Sequence, residues 1–379
     1  MMKYKPYTLQ DVYHGEAQEK FTVISTFAGG GGSSTGYRLA GGKVLAINEF
    51  VEEARNTYRD NYPTTPILDG DIKELTGKDF LEITKLKPGE LDLLDGSPPC
   101  SAFSMCGILA QANTTHKTGF GKTKKYSDDK IVENIEDLFF EFLRVAEEIR
   151  PKTIIAENVA GLTMGEAKEY FNKILNTFEQ IGYDVSAKVV DCSLHGVPQS
   201  RKRVFFMAVR EDITSQVGMN FMNISQLFPI ENKERISMKE AFEGLEYDQE
   251  EVDYLTEKWR RTAYYKNTCI HMPSNPKKVL QGSDFGVKGL HFNLKKASQY
   301  LPSPTITAMG STEATAGVCH WEEDRKLTLG ELKRVTSLPD DFILTGKWAQ
   351  KSERCGRMVP SIMMRELATS MYKNVLEKI

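Results

Sequence analysis

The stretch FTVISTFAGGGGSSTG, residues 21–36, carries the fold. Its first six residues, FTVIST, are mostly apolar or β-branched and read as a buried strand, and the run from Gly29 to Gly32 that follows is a loop without side chains. STGYRLAGG then reads as a short helix closed by glycines, and KVLAINEF as a second strand. A strand feeding a glycine loop and then a helix opens an α/β unit with a mainly parallel sheet, where ligands gather at the carboxyl ends of the strands.

Outward from this start, the same alternation runs to about residue 210. LDLLDGSPPC, residues 91–100, is a strand ending in a proline turn, and IVENIEDLFFEFLRVAEEIRP, residues 131–151, reads as one long amphipathic helix stopped by Pro151. KTIIAENV is another buried strand, and RKRVFFMAVR, residues 201–210, the last clear one. Beyond residue 211 the alternation is lost. Residues 256–297 hold nine Lys and Arg against only Glu257 and Asp284, in a chain whose formal net charge is -3, so the basic excess is local. CGRMVPSIMM, residues 355–364, reads as a turn before a closing helix with Met363, Leu367, Met371 and Val375 on one face.

At 379 residues, 27% of them charged, the chain has the composition of an ordinary soluble protein of one large domain and a smaller one. Without a signal-like apolar segment or an apolar run of about 20 residues, a cytoplasmic protein and no membrane partner are expected. The six cysteines are scattered, with no C-x-x-C pair. Neither a disulfide framework nor a structural metal is expected, which leaves a reactive thiol as the role to look for.

Three places can carry chemistry. The glycine loop lets a ligand approach the backbone at a helix N-terminus, and suits a nucleotide, an adenosyl cofactor or only a tight turn. Glu49 ends the next strand, where it can accept from ribose hydroxyls, and Asp71 in LDGDI can read an adenine edge. Two prolines stiffen the turn that delivers Cys100 to the same sheet edge, with buried structural cysteine and nucleophile equally open. Glu157 in AENVAGL ends a further strand in apolar surroundings that suit a proton donor, or it caps a helix. Arg201 and Arg203 alternate in QSRKRVFF and so share a face, as a surface pair or as a clamp for an anion or carbonyl oxygen.

Taken in order, FAGGGG, NEF, GDI, GSPPCSAFS, LFFEFLR, ENVAGL, QSRKR, LPSPTIT, KLTLGELKRVTSLPDDF and GRMVPSIM resemble the C5-cytosine DNA methyltransferases. The resemblance implies an S-adenosylmethionine-dependent, Rossmann-like mixed sheet in a catalytic domain of residues 1–208 plus 341–379. Residues 209–340, with the hinge, would be a smaller target-recognition domain. It implies a monomer acting on double-stranded DNA, without a metal, as part of DNA modification and restriction-modification. In its mechanism a target cytosine is flipped out and Cys100 adds to C6. Glu157 protonates N3 and recognises the exocyclic amine, Arg203 with Arg201 holds O2, and C5 takes the methyl group. The cofactor positions would be Phe27, Gly29, Gly31, Glu49, Asp71, Ile72, Pro99, Leu138, Arg357 and Met358.

Two departures stand out: Ser101 where the family has Gln after the cysteine, and Gly356-Arg357-Met358-Val359-Pro360 where it has Gly-Asn-Ser/Ala-Val-Pro. A cation beside a sulfonium is unfavourable unless an anion lies between them. Arg357 therefore raises carboxy-S-adenosyl-L-methionine as an alternative donor, with carboxymethylation of C5, against an Arg357 that simply pairs with a nearby acid. A catalytically silent DNA-binding protein and a tRNA cytosine methyltransferase are the further alternatives.

Overall fold

The computed structural model describes residues 4–99, 123–125, 131–133, 137–165, 167–219, 223–232, 234–286, 294–308 and 317–379. Contacts divide the chain into two compact units. The larger comprises Gln10–Val190, Lys202–Ile230 and Met364–Ile379, and the other Met1–Leu9, Asp191–Arg201 and Glu231–Met363.

The larger unit is built on seven strands: β1 (Phe21–Thr26), β2 (Gly42–Glu49), β3 (Ile67–Asp69), β4 (Leu93–Gly96), β5 (Thr153–Val159), β6 (Tyr183–Asp191) and β7 (Lys202–Arg210). They lie in the order β3-β2-β1-β4-β5-β7-β6. The pairs β1–β2, β2–β3, β1–β4 and β4–β5 are parallel, whereas β7 runs antiparallel to β5. The chain leaves β1 toward β2 and β3 and then crosses to β4 on β1's other side. That reversal opens a crevice at the carboxyl ends of β1 and β4, where α/β sheets of this kind bind ligands.

Sequence alternation explains the two faces of the sheet. Ile24, Leu94 and Ile154 are aligned in register, and with Ala156, Phe206 and Ala208 they form an apolar core with Phe139, Phe142 and Phe178. Phe139 and Phe206 meet edge to face, with ring centroids 5.2 Å apart. Those phenylalanines come from two helices, Leu138–Ile149 and Ala167–Gln180. Gly96 is steric in origin, because a Cβ there would lie 2.5 Å from the Phe142 ring. On the opposite face the same strands place Ser25, Asp95, Glu157 and Arg203.

Two expectations are corrected here. The long helix starts at Leu138, not Ile131, and Ile131–Glu133 instead pairs antiparallel with Thr123–Lys125. β-branched Ile131 and Val132 favour extended backbone, while Asp137 supplies the acid that a helix N-terminus favours. CGR is not a turn: Cys355, Gly356 and Arg357 end the helix Trp348–Arg357, and Met358-Val359-Pro360 links it to the helix Ser361–Asn374. On the latter, Met363, Leu367 and Met371 are fully buried, as is Val375 just beyond it.

In the other unit, Leu280–Gln281, Lys295–Lys296 and Val318–Cys319 form a small sheet over a core of Trp259, Cys269, Met272, Leu280, Leu294 and Cys319. Arg325 is completely buried, and its guanidinium donates to both oxygens of Glu331 at 2.7 and 3.0 Å. Glu331 also closes a capping box with Thr328, so one carboxylate satisfies both a buried cation and a helix start. No helix among the described residues is long and apolar enough to cross a membrane.

Candidate active site

The crevice edge starts with a strained loop. Phe27 has φ 51°, Gly29 φ 56° and Gly31 φ 104°, so the chain turns off β1 through backbone conformations that only glycine adopts freely. The helix Gly32–Leu39 begins directly afterwards. A Cβ on Gly29 would meet nothing within 4 Å, so the backbone there faces open space. At Gly31 it would lie 3.1 to 3.3 Å from the rings of Tyr58 and Tyr62, which wall the loop from behind.

Those tyrosines are held by Arg38, a fully buried cation in the same helix. Its guanidinium lies 3.8 Å from the Tyr62 ring centroid and donates to the Tyr58 hydroxyl at 3.1 Å, Thr65 Oγ1 at 2.7 Å and Glu16 at 3.0 Å. Glu49 is the loop's other brace. Its carboxylate accepts from Gly29 N–H at 2.7 Å and Val51 N–H at 2.6 Å, a charge-assisted clamp at the end of β2. Asn48 beside it donates to the carbonyls of Leu68 and Gly70, fixing the turn that carries Asp71. Ile72 and Leu138 are buried, and Arg144 holds the Ile72 carbonyl at 3.0 Å.

The second part of the site is the turn after β4. Asn158, next to Glu157, donates to the Pro98 carbonyl at 3.2 Å and so ties the proline turn to β5. Ser97 Oγ is buried without a hydrogen-bond partner among the described residues, and Pro99 is half-buried. Cys100 lies outside the described residues, as does Ser101. Glu157 and Arg203 meet across β5 and β7, with Arg203 Nε 2.8 Å from Glu157 Oε1 and both side chains largely buried. Because β7 runs antiparallel, its first residues reach the sheet edge at which the parallel strands end.

Arg201, two residues before Arg203, belongs to the other unit. It is buried, and its Nη1 donates to the carbonyls of Ile306 and Gly356 at 3.1 and 3.0 Å. Alternation along the strand put the two arginines on one face, but Arg203 meets a carboxylate and Arg201 braces backbone. Arg357 and Met358 lie in that same unit. Met358 is buried, and Arg357 is paired with Glu353 one helical turn earlier at 2.6 Å.

Sequence reasoning missed Arg38, Asn48, Asn158 and Asp95. Asp95 alone carried a signal, an acid inside the apolar strand LDLLDG; its carboxyl is fully enclosed, and burial pushes it up to about 7. The asparagines bond backbone carbonyls that only the folded chain brings within reach.

The chain as a whole is similar to known proteins. A family model described as C-5 cytosine-specific DNA methylase matches residues 21–373. The Type II methyltransferase M.Eco47II of Escherichia coli is 29% identical over 373 residues, which are 95% of this chain and 80% of that protein. The Type II methyltransferase M1.HphI of Haemophilus parahaemolyticus is 28% identical over 364 residues, covering 93% and 87%. Among solved structures, a mutant of Spodoptera frugiperda DNMT2 superposes with a TM-score of 0.60 at 15% identity, covering 93% of this chain and 99% of that one.

Proposed function

The chain belongs to the C-5 cytosine-specific DNA methylase family, and from that premise we propose how its residues divide the work. It is a DNA (cytosine-5)-methyltransferase that uses S-adenosylmethionine, related to Type II methyltransferases. The observation that carries the residue assignment is the Glu157–Arg203 pair at 2.8 Å, on the strand beside the proline turn that leads to Cys100.

A flipped cytosine presents N3 and its exocyclic amine along one edge, with O2 adjacent. Entering between Glu157 and Arg203, it replaces their mutual contact: Glu157 gives N3 a proton and accepts from the amine, and Arg203 donates to O2. Cys100, as its thiolate, adds to C6 and turns C5 into a nucleophile. S-adenosylmethionine, when bound, supplies an electrophilic methyl carbon. Water takes the C5 proton as Cys100 leaves as its thiolate by β-elimination, and the N3 proton returns to Glu157. Arg201 holds the backbone at Ile306 and Gly356 within its own unit.

The loop of residues 27–32 fits an adenosyl cofactor, because Gly29 leaves its backbone open and Glu49 lies where a ribose would need an acceptor. Phe27, Gly31, Asp71, Ile72, Pro99 and Leu138 complete the assignment in the larger unit. Arg357 already has a carboxylate partner in Glu353, at 2.6 Å. A carboxylate on the donor is therefore not needed to balance its charge, and we assign plain methyl transfer over carboxymethyl transfer. Target recognition is assigned to residues 209–340, which hold the basic stretch, and the working form to a monomer on double-stranded DNA.

The test is to incubate the protein with DNA and either S-adenosylmethionine or its carboxy derivative, and to weigh the nucleosides released. The expected product is 5-methylcytosine from the former only, lost in Cys100→Ala. A carboxymethylated nucleoside would overturn the donor assignment, and activity in Cys100→Ala would overturn the mechanism.

A further inference from the structure

Asp95 takes no part in the reaction as assigned, yet its carboxyl sits where both halves of the site are anchored. Ser25 Oγ donates to Oδ2 at 2.5 Å and the Tyr37 hydroxyl donates to Oδ1 at 2.8 Å. Ser25 lies on β1 two residues before Phe27, and Tyr37 lies in the helix that the glycine loop opens. Asp95 itself lies on β4, five residues before Cys100. A single buried carboxyl thus joins the strand and helix flanking the cofactor loop to the strand that delivers the nucleophile.

The charged and titratable groups facing it are few. Besides Ser25 of β1 and Tyr37 of the helix, Glu157 of β5 bears on it electrostatically, and Glu157 is paired with Arg203 of β7. Register places Ser25, Asp95 and Ile155 side by side, so Glu157, two residues on, shares Asp95's face of the sheet. Strand spacing and rise put the two acids roughly 8 Å apart at Cα.

We propose that Asp95 is a positioning residue that sets the spacing between the cofactor loop and the nucleophile turn through its bonds to Ser25 and Tyr37, and that its protonation loosens this link. The proposal rests on the reading that Cys100 and the loop of residues 27–32 form the reacting pair. When Asp95 is ionised, each oxygen accepts one hydrogen bond. When it is protonated, one oxygen becomes a donor, and the bond from Ser25 or Tyr37 must reorganise. Burial pushes the group up to about 7 against the opposing bonds from Ser25 and Tyr37, with the charge of Glu157 adding to the rise, so both forms are populated near neutrality.

The experiment is single-turnover methyl transfer across neutral pH, with cofactor affinity measured separately by calorimetry, for the wild type, D95N and Y37F. The wild-type rate is expected to climb as pH rises through about 7, and D95N to lack that step while running about tenfold slower, since small misplacement of reacting groups lowers rate more than binding. Cofactor Kd should change by less than about threefold in D95N, because the groups that touch the cofactor are intact. Y37F should keep the step with a smaller loss of rate, which preserves the test if D95N fails to fold. A D95N profile that matches the wild type overturns the proposal, as does a Y37F rate equal to wild type when D95N cannot be obtained. Covalent capture of DNA containing 5-fluorocytosine separates the two readings. If Cys100→Ala still transfers methyl without capture, the underlying mechanism has failed rather than the role of Asp95.

Discussion

Replacing Arg38 by methionine tests whether the cation behind the glycine loop is structural. The change keeps an unbranched side chain but ends short of the guanidinium, and so removes hydrogen bonds to Tyr58, Thr65 and Glu16 and the cation over the Tyr62 ring. Each buried bond to a charged group contributes about 1.5–3 kcal/mol, and the stacked cation about 1–2 kcal/mol. Removing a buried guanidinium also relieves a desolvation cost of several kcal/mol, so the net loss should be about 3–4 kcal/mol rather than the sum. Glu16→Gln is the internal control. Its side chain is 24% exposed and glutamine keeps an acceptor for the buried Arg38, so the loss should be only about 1 kcal/mol.

The choice of probe matters, because Trp259, Trp321 and Trp348 all fall within Glu231–Met363. Tryptophan emission therefore reports the other unit, and urea unfolding of the Arg38 variant should be followed by circular dichroism as well. The expected result is a lower dichroism midpoint together with weaker cofactor binding, since the tyrosines that wall Gly31 lose their anchor. If Arg38→Met stays within about 1 kcal/mol of wild type, or Glu16→Gln costs as much, the energetic reasoning is wrong.

Two further predictions concern the other unit. Gly356→Ala would place a Cβ 2.4 Å from the Thr307 carbonyl oxygen, beside the carbonyls that Arg201 holds; it should cost about 2–3 kcal/mol, read as a lower urea midpoint by tryptophan emission, and an unchanged midpoint would refute it. His320 is buried and burial depresses it to about 4, with Glu331 opposing the shift. The folded state therefore binds its proton less readily than the unfolded state, and stability should be complete above about pH 6.5 and fall by about 3 kcal/mol as pH drops to about 4. His320→Asn, which keeps an acceptor for the Glu322 and Glu323 N–H groups, should flatten that slope in tryptophan-monitored unfolding; an unaltered slope would clear His320 of the effect.

The apolar runs of FTVIST, LDLLDG, TIIAENV and RVFFMAVR sufficed for the central strands, because strands buried on both faces must be apolar whatever surrounds them. β3 has only three residues and β6 is largely half-buried, so neither bears a strong pattern. The helix start was misjudged because Ile131 and Val132 fit a helical apolar stripe as well as an extended segment. In the site, Glu157, Arg203, Glu49 and the glycines were legible as residue types at strand ends. Arg201 shows the limit: its alternation with Arg203 is real, but its partners are carbonyls more than a hundred residues away in sequence. Buried cations such as Arg38 and Arg325 look like surface charges until the fold supplies their cages.

The way the chain passes between the two units bears on how segments can be exchanged between relatives. It crosses at residues 9/10, 190/191, 201/202, 230/231 and 363/364. A hybrid enzyme made by transplanting only residues 231–363 would leave Asp191–Arg201 native to its old surroundings, with Gln199 and Arg201 facing foreign carbonyls where Val335, Ile306 and Gly356 had been. The eleven-residue insert thus belongs genetically with the transplanted part, although it ends two residues before Arg203, which belongs to the larger unit. Recombination that treats residues 231–363 as one contiguous cassette should yield mostly unstable chimeras, and moving residues 191–201 along with them should restore the fold.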